Sequence, residues 1–256
     1  MSIVEQLTAK FASYKPPALD PTYNFFVYGP TGSGKTSLVS TLKSDAVASK
    51  KKVLLLNNDM GDKSILTSIY DTSPYQWLIS HTVEKYDDIR DIYKFLATGK
   101  HDFKWVVLDD TTQMAEMLLD KLQRPEEYGE DAWGAYGALN SQFRLLLRAF
   151  RGLPLNILFL AREDKNKDPR TAAFPGKALG DGNDGSSVLH EFDHAYRAVR
   201  IAHAEGDDEF FLQTKATEDV EAKRRDEFNV LAFMEEPNIS EIKAKLIKSI
   251  TDNLNQ

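Results

Sequence analysis

The 256-residue chain contains no cysteine. That excludes disulfides and thiolate metal sites and fits a reducing cytosol. Long apolar runs are also missing: nothing approaches the roughly 20 consecutive residues that span a bilayer. The opening stretch MSIVEQLTAKF is amphipathic and of mixed charge, unlike a secretion signal, so a cytoplasmic location with no membrane partner is expected. Nor is there an excess of base. The net charge of −7 argues weakly against tight non-specific binding to nucleic acid. The acidity is local, however: residues 102–131 carry nine acids and three bases, which leaves the remainder nearly neutral and able to hold a basic groove.

What the chain does have is apolar residues, 42% of the total, and length enough to bury a sizeable core. Short, apolar, β-branched runs at 24–28, 53–57, 77–80, 105–109 and 156–161 read as strands. Helical patterns at 35–42, 63–70, 86–97, 112–122 and 135–151 separate them. This alternation predicts an α/β fold, a mostly parallel sheet flanked by helices. After residue 161 the texture turns polar, with two prolines and four glycines in REDKNKDPRTAAFPGKALGDGNDGSS, and a mobile loop over 162–189 is expected. Residues 194–202 and 209–215 read as a β-hairpin extension around AEGDD. A terminal helix follows, with Ile242, Leu246, Ile247 and Ile250 on one face, suited to docking on the core or on a neighbour. The expected organisation is a lead segment 1–22, a core 23–233 and a helical tail 234–256.

Residues 29–36 read Gly29-Pro30-Thr31-Gly32-Ser33-Gly34-Lys35-Thr36, the G-x-x-x-x-G-K-[ST] pattern, between a predicted strand and a predicted helix. Glycines let successive N–H groups turn toward phosphate oxygens. Lys35 supplies a point charge between β- and γ-phosphates, and Thr36, followed by Ser37, offers its hydroxyl to Mg²⁺. Nucleotide and magnesium, with ATP as the nucleotide, are the cofactors this pattern implies.

The second element is KWVVLDDTT. Asp109 ends an apolar strand, where its carboxylate can hold Mg²⁺ through water. Hydrolysis also needs a group to orient or deprotonate water, and two acids compete for it. Asp59 ends the strand KVLLLNND, 24 residues after Lys35; Asp110 follows the metal aspartate directly. Adjacent residues of a strand point to opposite faces, so Asp109 and Asp110 are not expected to share one task. Asp110 alternatively caps the helix that starts near Thr112.

In this order the loop, Asp59-Met60-Gly61, VVLDD, ILFLA, FPGKAL and EAKRR resemble the phage-type RecA-like P-loop nucleotide-binding proteins, a branch that includes single-strand-annealing recombination ATPases. The resemblance covers residues 23–233. It implies a RecA-like core of strand order 5-1-4-3-2, with the ILFLA strand between the phosphate-loop strand and the metal strand. Relatives carry a polar sensor, often histidine or glutamine, at the end of that strand; here the residue is Arg162, which either contacts the γ-phosphate or pairs with Glu163 or Asp164. Relatives often have glutamate where this chain has Asp59, and the shorter side chain is consistent with slow hydrolysis. The resemblance also implies a homo-oligomer in which Lys223 and Arg225 reach a neighbour's γ-phosphate; the other reading is a solvated basic run among Glu221, Asp226 and Glu227.

Lys165, Lys167, Arg170 and Lys177, with Phe174 among them, suit a single DNA strand, charges following phosphates and the ring stacking on a base. A flexible loop over the nucleotide is the other reading. Trp133, Tyr136 and Phe143 fit a core better than a DNA platform, and RPEEYGEDAWG reads as a solvated turn. The expected function is Mg²⁺-dependent ATP hydrolysis acting on single-stranded DNA in phage recombination or strand annealing, with a single-stranded-DNA-binding protein as a further partner. A nucleotide-dependent assembly switch without DNA contact and a small-molecule kinase stay open.

Overall fold

The computed structural model describes residues 21–58, 61–71, 76–164, 166, 169–175 and 188–254. In chain order its strands are β1 (Asn24–Gly29), β2 (Lys52–Asn57), β3 (Leu78–Thr82), β4 (Phe103–Asp109), β5 (Asn156–Asp164), β6 (Thr171–Ala172), β7 (His194–Ile201), β8 (Glu209–Gln213) and β9 (Met234–Glu235). The α-helices are α1 (Lys43–Ala48), α2 (Leu66–Ile69), α3 (Tyr86–Ala97), α4 (Thr111–Leu122), α5 (Ala132–Arg151) and α6 (Ile239–Leu254). The sheet runs β3-β2-β4-β5-β1-β7-β8-β9, with β6 paired on β5. The contacts from β3 across to β7 are all parallel, and those of β8 and β9 antiparallel. Counted as first to fifth, β1, β2, β4, β5 and β7 follow the fifth-first-fourth-third-second order that the resemblance implies; β3 is an extra edge strand.

Strand alternation builds two cores. On β1, Phe25 and Val27 pack with Leu38, Leu42, Ile242 and Leu246 on one face of the sheet. Phe26 and Tyr28 face the other way, into a cluster with Met114, Leu118, Phe143 and Phe150 from α4 and α5. A sheet covered on both faces must be apolar on both sides of each strand, which is why β1, β4 and β5 read as near-continuous apolar runs. Each fully buried Leu, Ile or Phe contributes about 1.5–3 kcal/mol.

The predicted hairpin is present, but it is not an appendage: β7 lies parallel to β1, Phe25 opposite His194 through Tyr28 opposite Arg197. The tail helix docks on the core as its pattern suggests. Its Lys243 adds something the pattern hides. The Nζ is 2.9 Å from Asp45 Oδ2 and lies over the Trp105 ring, whose Nε1 donates to the same carboxylate at 2.7 Å.

Several expectations need correction. The helix after the phosphate loop is a 3₁₀ turn over Thr36–Leu42, and α1 begins only at Lys43. The predicted helix 63–70 is a 3₁₀ turn, Gly61–Ile65, followed by one turn of α2. Strand β5 continues through Asp164 and pairs with β6, so part of the stretch expected as loop is hydrogen-bonded backbone. Trp133 is not a core residue: it is 91% exposed, because α5 turns that side of its first turn to solvent, whereas Phe143 is fully buried. Among the described residues no helix is long and apolar enough to cross a membrane.

Candidate functional site

Strands β1, β4 and β5 end side by side, and the polar residues just beyond their apolar runs meet there. The chain leaves β1 at Gly29 with no room for a side chain: a Cβ would sit 2.7 Å from the Ala198 carbonyl oxygen on β7 and 2.8 Å from Ser33 Oγ. Gly32 and Gly34 have φ of +78° and +79°, conformations that other residues rarely adopt. Ser33 ties the turn together, its Oγ donating to the Pro30 carbonyl at 2.8 Å. The glycine spacing thus reflects backbone geometry at three separate points.

Lys35 folds back over the loop and donates from Nζ to the carbonyls of Gly29 at 2.9 Å and Pro30 at 3.0 Å. Burial lowers its pKa from the ordinary lysine value, and the nearby Asp110 and Asp109 carboxylates oppose that shift. Thr36 Oγ1 donates to Asp109 Oδ2 at 2.7 Å, so the hydroxyl and the carboxylate assigned to one cation from sequence are already adjacent.

The expectation that Asp109 and Asp110 face apart is not met. β4 ends at Asp109, and Asp110 is the N-cap of α4, so the rule of strand alternation no longer applies between them. Both line one cleft of about 350 Å³ together with Lys35 and Thr36. Asp110 Oδ1 accepts from the Thr112 N–H at 2.7 Å, the capping contact considered from sequence. Its Oδ2 is 2.7 Å from Arg162 Nε. Burial raises the Asp110 pKa from the ordinary carboxylate value; Arg162 pulls the other way without cancelling the effect.

Arg162 stands opposite Gly29 in the β1–β5 register, at the cleft. Its guanidinium reaches Asp110, Gln113 Oε1 at 3.2 Å and Glu116 Oε2 at 3.7 Å. Glu163, one of the partners considered from sequence, is instead bound by Arg197, Nε to Oε2 at 2.7 Å, with Arg170 at 3.9 Å. Successive residues of β5 alternate, which separates Arg162 from its neighbour.

Sequence reasoning missed three residues here. Asn58 clamps the backbone of Asp110 from both sides: Oδ1 accepts from its N–H at 2.6 Å and Nδ2 donates to its carbonyl at 3.2 Å. Ser64 and Phe210 line the cleft. A strand-end asparagine beside the acid candidate was a usable signal for Asn58. Nothing local marks Phe210, one of two phenylalanines in a short strand.

Other predicted residues fall elsewhere. Lys223 Nζ donates to the His190 carbonyl at 2.8 Å, and Arg225 NH1 is 2.7 Å from Asp193 Oδ1. The two share a side of the chain, as alternation predicts, while Arg224 turns away to the Leu231 carbonyl. They lie beside the start of β7, level with the start of β1, and do not line the cleft. Phe174 does not offer its ring to a base: it packs on Phe143 and Phe26, centroids 5.6 and 6.2 Å away, because the run after β6 turns back toward α5. Arg170 is half exposed beside Glu163. Asp59, Lys165, Lys167 and Lys177 lie outside the described residues.

The glycine cradle, the amine and the hydroxyl–carboxylate pair fit a polyphosphate with a divalent cation, since each polar group the ligand needs is present and converges on one space. A protein-family model described as an AAA domain matches residues 22–225. No curated protein matches the chain.

Proposed function

The chain belongs to the AAA domain family of P-loop NTPases, and from that premise we propose that it binds ATP with Mg²⁺ in the cleft and hydrolyses it. The observation that carries this reading is the 2.7 Å contact between Thr36 Oγ1 and Asp109 Oδ2, directly beside the glycine loop and Lys35.

A magnesium ion bound here would supply charge neutralisation for the phosphates. The chain's own residues do the rest. Loop amides and Lys35, released from the Gly29 and Pro30 carbonyls, meet the phosphate charge. Thr36 and Asp109 would hold the cation. Asp110 or Asp59 takes the proton of the attacking water. A raised pKa suits Asp110 to accept a proton, but its Oδ2 is engaged by Arg162. A γ-phosphate competes with Asp110 for that guanidinium, so Arg162 links the arrival of nucleotide to the freeing of the acid. This gives the arginine a sensor role.

The work we propose for the hydrolysis is on single-stranded DNA, in phage recombination or strand annealing, by an oligomer in which Lys223 and Arg225 serve a neighbour's cleft. What supports it is the order of motifs through FPGKAL and EAKRR, together with the half-exposed Arg170. Calorimetry with Mg²⁺ and ATP tests the site: heat of binding with one site per chain is expected, and silence removes the reading. Salt-dependent binding of labelled single-stranded DNA, with and without ATP, tests the use. No binding at low salt leaves the assembly switch, and turnover that rises only with a small-molecule acceptor leaves the kinase.

A further inference from the structure

The cleft does not stop at the phosphate loop. On the side away from Asp109 the wall is built by the β7–β8 hairpin. Arg200 of β7 and Phe210 of β8 are directly opposite each other in the register, so their side chains stand side by side on one face. Both press on the loop. A Cβ at Gly32 would lie 3.3 Å from the Arg200 guanidinium, and a Cβ at Gly34 would lie 3.2 Å from the Phe210 ring. Arg200 is fixed there by Asp208, whose Oδ2 accepts from Nε at 2.7 Å. The hairpin is therefore seated on the loop through two of its glycines.

Phe210 is the only apolar side chain among the described residues lining the cleft; all the rest are glycine, hydroxyl-bearing or charged. The sheet order gives the cleft a direction. Asp109 ends β4, the phosphate loop leaves β1, and Phe210 belongs to β8 on the far side. With the terminal phosphate drawn to the Asp109 side, the rest of a nucleotide extends toward the hairpin. An aromatic ring is what a nucleobase gains from on leaving water.

We propose that the β7–β8 hairpin is the base-binding wall of this cleft, with Phe210 stacking on the nucleobase and Arg200 holding the hairpin against the loop. The proposal rests on the nucleotide reading above and deepens it: it makes the ligand a nucleotide recognised at both ends, not a bare polyphosphate.

The test compares Mg²⁺-ATP with Mg²⁺-tripolyphosphate, which has the charge but no base, by calorimetry on the full chain. Wild type is expected to bind ATP roughly tenfold tighter than tripolyphosphate, the scale of one base–aromatic stack. Phe210→Leu, which keeps apolar packing on Gly34 without an aromatic face, should erase that preference by weakening ATP and not tripolyphosphate, and Phe210→Ala should erase it as well. Phe210→Tyr should restore it. Phe95→Ala, an exposed aromatic on α3, is the control and should change neither. Retained ATP preference in both Phe210→Leu and Phe210→Ala overturns the proposal, and so does an equal loss for both ligands, which would mean that the ring only shapes the loop. Wild type that binds both ligands equally removes the base wall alone. Wild type that binds neither removes the nucleotide reading and this proposal with it.

Discussion

Lys35 and Arg225 sit near opposite ends of the paired strands β1 and β7, and the two ends treat charge differently. At the cleft end, charged groups are buried or half-buried: Lys35 leans on its own loop carbonyls, and Asp110 is held by an arginine of the neighbouring strand, 52 residues away. At the other end, Lys223 and Arg225 are satisfied by neighbours on the surface, the His190 carbonyl and Asp193. Arg225 is level with the start of β1, five residues from Gly29, roughly 17 Å away at about 3.3 Å per residue. An arginine side chain does not cover that span, so any contact of this pair with a γ-phosphate must be with a neighbour's. Desolvated charge at the cleft is worth far more than exposed charge at the far end, because screening by water is what separates them.

Substitutions at the two ends should therefore differ widely in effect. Lys35→Ala should lower ATP turnover about 100-fold or more, the scale of losing one buried donor to transition-state charge; turnover at the wild-type rate would refute the assignment of the loop. Next in size is a pH effect away from the cleft. His194 is fully buried on β7, stacked on Phe25. Burial lowers its pKa from 6.5 to about 4, with Asp193 and Asp226 opposing. The unfolded chain takes up this proton near pH 6.5 and the folded chain only near pH 4, so stability is lost as pH falls through that window and levels off below it. The expected loss is roughly 3 kcal/mol, from about 1.4 kcal/mol per pKa unit. Urea denaturation at pH 7 and pH 4 checks this: His194→Gln should lose markedly less between the two, and an equal loss would rule out His194 as the group responsible.

Asp110 divides structure from chemistry within the cleft. Asp110→Ala removes the cap of α4 and a partner of Arg162, and should cost about 2 kcal/mol in chemical denaturation. Asp110→Asn keeps a good capping residue and loses the charge. If its stability is near wild type while turnover falls at least tenfold, Asp110 acts on the water; wild-type turnover in Asp110→Asn assigns that role to Asp59. The smallest effect is expected at the far end. Lys223→Ala with Arg225→Ala should shift the stability of a single chain by less than about 0.5 kcal/mol. Turnover should fall only in the oligomer, and wild-type rates in an oligomer confirmed by light scattering would discard the cross-subunit role.

The contrast also separates what could be read in the sequence from what could not. Gly32 and Gly34 were legible because their backbone demands glycine, and Lys35 and Thr36 because they follow at fixed spacing. The strands were legible because burial on both faces demands continuous apolar runs. Arg162 was placed on the correct strand, which runs two residues beyond it, yet its partners Asp110 and Glu116 were not foreseen, since nothing in one segment records which other segment lies beside it. Lys243 gives the same lesson: a lysine on an amphipathic helix reads as solvated, and only the fold brings Asp45 and Trp105 to it from about 200 and 140 positions away. Trp133 erred in the opposite direction, because an aromatic side chain signals burial only if its helix turns that side inward.

By itself the sequence determined the local chemistry of this protein: a glycine-cornered loop, an amine and hydroxyl after it, an acid at a strand tip, and an alternation that folds as a covered parallel sheet. Those follow from backbone sterics and hydrophobic periodicity, which act over a few residues. Tertiary structure alone decided that Asp109 and Asp110 share one cleft, that Arg162 holds the second of them, and that a hairpin some 170 residues beyond the loop sets Phe210 against Gly34. These depend on which strand ends lie side by side, and strand order is fixed by packing the whole sheet between its two cores.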